Sequence, residues 1–225
     1  MRVAVLFAGG KDSTYSAYKA LKDGLEVKYL ITMVPSNPHS WMFHTVNIDI
    51  TRYQAEAMGI KQLMPPTSGE RDMELEDLKR AIAAIKNEVD GIVTGAIASS
   101  YQKNRVDQIC RGIGLVSIAP LWGRDPTELL REMISTGFEA IITSVAAQGF
   151  HEGWLGRKID ETCLEDLEGL SKRFGINMAG EGGEYESLVL DAPLFKSKIE
   201  VVEAEKVWRG TSGCYLIKKA RLTRK

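Results

Sequence analysis

The chain is poor in the features that mark secreted, metal-clasping or membrane-borne proteins. Its 225 residues include three cysteines, Cys110, Cys163 and Cys214, with no pair at zinc, iron–sulfur or redox spacing. That excludes a disulfide framework and a cysteine metal knuckle, and the thiols read as buried or idle groups in a reducing compartment. No apolar run comes near the ~18 residues of a membrane span. No charged-then-apolar leader precedes the first strand, which the fold needs, so the expectation is a cytoplasmic protein with no membrane contact. Basic charge is not in excess either: 29 Lys and Arg stand against 30 Asp and Glu, for a net charge of −1. Proteins that grip nucleic acid through phosphates usually carry such an excess, so no nucleic-acid partner is expected. Repeats and low-complexity segments are missing as well.

What is present is ordinary globular material, 44% hydrophobic and 26% charged. The front half alternates short apolar runs with helical patterns. Val3 to Phe7 reads as a strand and Ser13 to Lys22 as a helix, closed by Gly24. Val27 to Val34 is a second strand, and Thr51 to Met58 a helix with Gly59 behind it. Glu74 to Lys86 carries apolar residues at helical spacing, and Gly91 to Thr94 is a strand. A helix near Gln102 to Arg111 and a strand at Leu115 to Ile118 follow. Such alternation implies an α/β fold with a parallel, doubly wound sheet. Further on, Asp125-Pro126-Thr127-Glu128 is a helix start with cap, proline and carboxylate in order. Ala140 to Val145 is a strand and Glu161 to Phe174 a helix. Ser187 to Leu190, Ile199 to Val207 and Tyr215 to Leu222 read as antiparallel strands. The expected division falls near Pro120, into residues 1–120 and a smaller α+β part of residues 121–225.

The chemistry-bearing stretch lies between the first strand and the first helix, where the chain reads AGGKDS. Backbone N–H groups at a helix start carry partial positive charge and bind anions. Gly9 and Gly10 let the backbone approach an anion closely, and Lys11 adds a mobile cation. Ser13 and Thr14 add hydroxyls, and Asp12 is a candidate Mg²⁺ ligand beside a phosphate. Walker spacing fails, because Val5 stands where its first glycine belongs and Asp12 where its hydroxyl belongs. The dinucleotide fingerprint fails too, lacking its third glycine and an acidic end to the second strand near Met33 and Val34.

The hexapeptide resembles the PP-loop, S-G-G-x-D-S, of the N-type ATP pyrophosphatases, with Ala8 in place of the first serine. That resemblance implies an adenine-nucleotide α-hydrolase-like fold and cleavage of ATP to AMP and pyrophosphate. Four further stretches, SNPHSWMFHT, TGAIASSYQKNRVDQIC, PLWGRDPTELLREMISTGFEAII and GEGGEYESLVLDAPLF, follow in order. With the loop, they are similar to the diphthine–ammonia ligase family over nearly the whole length. The resemblance implies adenylation of the carboxylate of diphthine on translation elongation factor 2, with ATP and Mg²⁺, and displacement of AMP by ammonia to give diphthamide. Elongation factor 2 and ammonium are the implied partners, and a homodimer is left open.

Candidate residues follow. Ala8, Gly9, Gly10, Lys11, Asp12 and Ser13 form the phosphate cradle. Met33, Gly95 and Ala96 sit at strand ends, where open α/β sheets hold ligands. Gln102 and Arg105, with Lys103, lie on the next helix within reach of phosphate oxygens. A quaternary ammonium is held by aromatic faces and anions. Glu181, Gly182, Gly183, Glu184, Tyr185 and Glu186 suit such a guest, as do Trp41, Phe43 and Trp122. Lys11, Asp12, Glu184 and His44 are the catalytic candidates, with Glu184 and His44 offered as acceptors of the ammonia proton. His39 and His151 read as surface or structural residues. Free ammonia is the implied nitrogen source, since no cysteine sits on a turn suited to glutamine hydrolysis. Two other readings stay open: a PP-loop enzyme that adenylates tRNA or a small carboxylic acid, and a non-catalytic ATP-sensing regulator.

Overall fold

Alternation within the first strand sets the architecture. In the computed structural model, which describes residues 1–37 and 45–225, β1 (Arg2–Leu6) sends Val3 and Val5 into one apolar cluster and Ala4 into another. A strand buried on both faces needs cover on both, and the helices supply it. The front half runs α1 (Lys11–Lys22), β2 (Glu26–Ile31), β3 (Val34–Pro35), α2 (Thr51–Met58), β4 (Lys61–Leu63) and β5 (Pro66–Thr67). It continues with α3 (Arg71–Ala83), β6 (Gly91–Val93), α4 (Ser100–Ile113) and β7 (Val116–Ile118). Five strands pair in parallel in the order β4-β2-β1-β6-β7, and β3 pairs with β5 beside them. Tyr15 and Ala17 of α1 and Ala55 and Met58 of α2 cover one face; Leu78 and Ile82 of α3 and Val106 and Ile109 of α4 cover the other.

The order places a topological switch at β1. The chain leaves it on one side for β2 and β4, then returns to its other side for β6 and β7. Loops diverge there at the carboxyl ends of the strands, and the divergence leaves a crevice.

The back half runs α5 (Pro126–Ser135), β8 (Glu139–Val145), α6 (Glu161–Phe174), β9 (Tyr185–Asp191), β10 (Ser197–Arg209) and β11 (Ser212–Arg224). Its strands form an antiparallel sheet in the order β10-β11-β8-β9. The α/β class with a parallel sheet followed by a smaller α+β region is therefore the observed one. The larger apolar cluster runs from Val3, Leu30 and Val93 of the first sheet to Ile142, Leu188 and Ile199 of the second without a break. Among the described residues, no helix is long and apolar enough to cross a membrane.

Several element ends depart from the sequence expectation. Helix α1 starts at Lys11 rather than Ser13, because Gly10 is already extended and serves as its N-cap. Strand β2 stops at Ile31, and β4 is a three-residue strand with no pattern long enough to read.

Candidate active site

The turn between β1 and α1 is built from contacts that glycine alone permits. Gly9 has φ of +77°, and a Cβ there would lie 2.3 Å from Gln54 Oε1. A Cβ on Gly95, at the end of β6, would lie 2.9 Å from Ser13 N, so Gly95 presses directly on the turn. Gly10 caps α1 with no side-chain acceptor, which leaves the positive end of that helix facing the crevice.

Three side chains of the turn are already engaged. Ser13 Oγ donates to Gly10 O at 3.2 Å and accepts Ala8 N–H at 3.3 Å, while Thr14 Oγ1 donates to Gly10 O at 2.9 Å. Both hydroxyls brace the turn. Lys11 is not a mobile cation but a buried one, 4% exposed. Its Nζ donates to Ala179 O at 2.5 Å and to Asp12 Oδ2 at 2.8 Å, and lies 5.3 Å from the centre of the Tyr185 ring. The backbone N–H of Lys11 donates to Ser187 Oγ at 3.1 Å.

Those partners belong to the acidic turn and β9, so two stretches far apart in sequence form one site. A cavity of about 630 Å³ lies between them. Its glycine-turn side is lined by Ala8, Gly10, Lys11, Asp12 and Ser13, and Met33, Gly95, Ala96 and Gln102 line the strand-end side. Glu181, Gly182, Gly183, Tyr185 and Glu186 close it from the acidic turn. Glu181 Oε2 accepts the N–H groups of Ala98 and Ser99, each at 3.0 Å, and so ties that turn to the start of α4. Tyr185 is buried and donates its hydroxyl to Met178 O at 2.8 Å; burial, then the charge of Asp12, holds that hydroxyl well above its ordinary pKa.

Other expected residues stand elsewhere. Glu184 does not line the cavity: its oxygens accept Asn177 N–H and Gly182 N–H, both at 2.8 Å, and so hold the shape of the turn. Arg105 lies over the Tyr101 ring, 3.3 Å from its centre, and Trp122 is covered by Lys103, whose Nζ is 5.4 Å from the ring centre. Neither lines the cavity. Trp41 and His44, with Phe43 and His39, fall outside the described residues. His151 accepts Gly153 N–H at 3.1 Å, away from this site. Burial pushes the thiols of Cys110 and Cys163 up to about 11, which leaves them protonated and inert near neutral pH.

Two buried oxygens on the cavity have no hydrogen-bond partner among the described residues: Asp12 Oδ1 and Thr94 Oγ1. A buried polar atom left unpaired is costly, so each marks a position where a ligand would be welcome. Asp12 therefore fits a Mg²⁺ site, because Mg²⁺ takes one or two carboxylates and completes its shell with water and phosphate. No group of three or more His, Cys, Asp or Glu side chains suited to a metal occurs among the described residues. Sequence reasoning missed Thr94 and Ser187. Thr94 had a readable signal, a hydroxyl at the end of a strand beside the switch point; Ser187 had none, since its role depends on β9 crossing the turn.

Comparison with known proteins covers nearly the whole chain. The model of the diphthamide synthase N-terminal domain matches residues 1–117, and that of the diphthamide synthase C-terminal domain matches residues 125–223. A diphthine–ammonia ligase of Danio rerio is 38% identical over 92% of this chain and 89% of its own length. The diphthine–ammonia ligase of Homo sapiens is 37% identical over 92% of this chain and 85% of its own. Among solved structures, a predicted subunit of tRNA methyltransferase from Methanocaldococcus jannaschii aligns with 86% of this chain and 98% of that one, at 19% identity and a TM-score of 0.47.

Proposed function

The chain belongs to the diphthamide synthase family, and from that premise we propose that it is an ATP-dependent ligase that converts diphthine to diphthamide with ammonia. The acceptor is the diphthine carboxylate on translation elongation factor 2. One arrangement carries the reading: the helix start at Gly10, the orphaned oxygen of Asp12 and the acidic turn all face a single cavity. A nucleotide phosphate group and a cationic acceptor can thus meet within one enclosure.

In this reading the acceptor carboxylate attacks the α-phosphorus of ATP, and the bond to the bridging oxygen breaks. Pyrophosphate leaves, and its growing charge is met by the amides at the start of α1. Ammonia then attacks the acyl-adenylate carbonyl, AMP departs and one proton is released with the amide. Mg²⁺, when held at Asp12, would neutralise phosphate charge. Glu181 and Glu186 place negative charge on the acceptor side, where a trimethylammonium group would sit, and Tyr185 backs the Lys11 ammonium. The work of the protein is positioning and electrostatic preorganisation, with no covalent intermediate on a side chain.

The test supplies ATP labelled at the γ-phosphate, ammonium and diphthine-bearing elongation factor 2. Labelled pyrophosphate, AMP and an amidated factor by mass spectrometry are the expected products. Labelled orthophosphate with ADP, or AMP formation that depends on tRNA instead, would overturn the proposal.

A further inference from the structure

Gln54 is fully buried on α2, does not line the cavity, and has no part in the chemistry above. Its Nε2 donates twice, to Gly9 O at 2.8 Å and to Val189 O at 2.7 Å. Both partners are carbonyls, so the amide nitrogen must face them and the side chain has one permitted orientation. Gly9 O also accepts the N–H of Val189 at 3.0 Å. The turn, β9 and α2 thus meet at one three-way joint.

The joint has a cost that space-filling does not explain. Gln54 Oε1 is buried and has no hydrogen-bond partner among the described residues. A methionine of similar length would fill the same volume without an orphaned oxygen. What it would lack is the power to fix a carbonyl. Helix α2 is itself held against the back half: Lys196 N donates to Ala57 O at 2.7 Å. Just ahead of it, the Asn47 side chain donates to Tyr215 O and accepts Ile217 N–H, both at 2.8 Å. Gln54 therefore stands on a registered support.

We infer that Gln54 is a positioning residue for the phosphate turn, anchoring the Gly9 carbonyl so that the start of α1 stays set against the cavity. The inference rests on the phosphate reading of that turn. Its test needs no acceptor: inorganic pyrophosphate with Mg²⁺ is titrated calorimetrically into the full chain, well below the melting temperature. Gln54→Met should weaken pyrophosphate binding at least tenfold, and Gln54→Glu more, because a carboxylate would face two carbonyls. Met133→Ala, a cavity-forming change on α5 away from the turn, supplies a destabilised control that should bind as the wild type does. If Gln54→Met fails to fold, Gln54→Asn, one methylene short of spanning both carbonyls, is read in the same way. A folded Gln54 variant that binds within threefold of wild type overturns the inference while leaving the function intact. A wild type that binds no pyrophosphate overturns the phosphate reading and takes this inference with it.

Discussion

Lys11 and Asp12 are neighbours in sequence with opposite relations to the fold. The Lys11 ammonium is buried and satisfied by Ala179 O and Asp12 Oδ2, so it holds the acidic turn against the loop. Asp12 keeps one buried oxygen without a partner among the described residues, a position at which a ligand would relieve the cost of burial. The two should separate on mutation. Asp12→Asn keeps an oxygen that can accept from Lys11 Nζ, so it should melt above Lys11→Met, yet lose about two to three decades of turnover, the worth of a charge contact made chiefly in the transition state, ~2–4 kcal/mol. Lys11→Met should also lose turnover but in addition cost about 1–3 kcal/mol of stability, since it strips a buried carbonyl and carboxylate of their donor. Thermal melts paired with steady-state rates decide it. Equal melting points for the two variants would refute the division of roles.

At the scale of elements, helices with strong caps were legible and short strands were not. The bounds Thr51–Met58 and Glu161–Phe174 follow from periodicity closed by Gly59 and Gly175, both left-handed in the structure. Asp125 accepts the N–H groups of Thr127 and Glu128, as its position before proline implies. Strand β4 had no such punctuation. The acidic turn was legible as a motif but not as a scaffold: sequence cannot show that Glu184 spends both oxygens on Asn177 and Gly182. Glu184→Gln keeps one acceptor of the two, so it should cost about 1–2 kcal/mol and loosen the whole turn. ATP affinity and amidation should then fall together, as calorimetry and mass spectrometry would show; amidation lost at unchanged ATP affinity would instead make Glu184 a direct acceptor-side group. The Tyr15 hydroxyl, then Arg124, holds the Glu132 carboxyl below its ordinary value of 4.5, against the opposing effect of burial. A depressed folded pKa stabilises above the unfolded value and loses that contribution as pH falls through the folded one. The melting gap between wild type and Glu132→Gln should therefore be full near neutral pH and shrink below about pH 4.5. A gap independent of pH would refute it.

At the scale of the molecule, the residue types of the site could be read but their meeting could not. Nothing local in AGGKDS reveals that Ser187 and Val189 complete it, because that pairing is made by a strand more than a hundred residues away. The division near Pro120 we propose as a joint between two sequence modules, and the structure gives a reason to expect that the first cannot act alone. Removing residues 121–225 would take Ile142, Leu188 and Ile199 out of the apolar cluster that also holds Val3, Val5 and Leu30. It would also remove the Val189 N–H from Gly9 O, the Ser187 hydroxyl from Lys11 N–H and the Ala179 carbonyl from Lys11 Nζ. The helix start would remain in the sequence, but the Lys11 ammonium and the glycine turn would lose their frame. A fragment of residues 1–120 should accordingly show no cooperative melt and bind ATP at least a hundredfold more weakly than the intact chain. Co-expression with residues 121–225 should restore both, because the lost contacts are non-covalent. A fragment that melts cooperatively and binds ATP within tenfold of the intact chain would show that the cradle is self-contained, and that β9 contributes to the acceptor side alone.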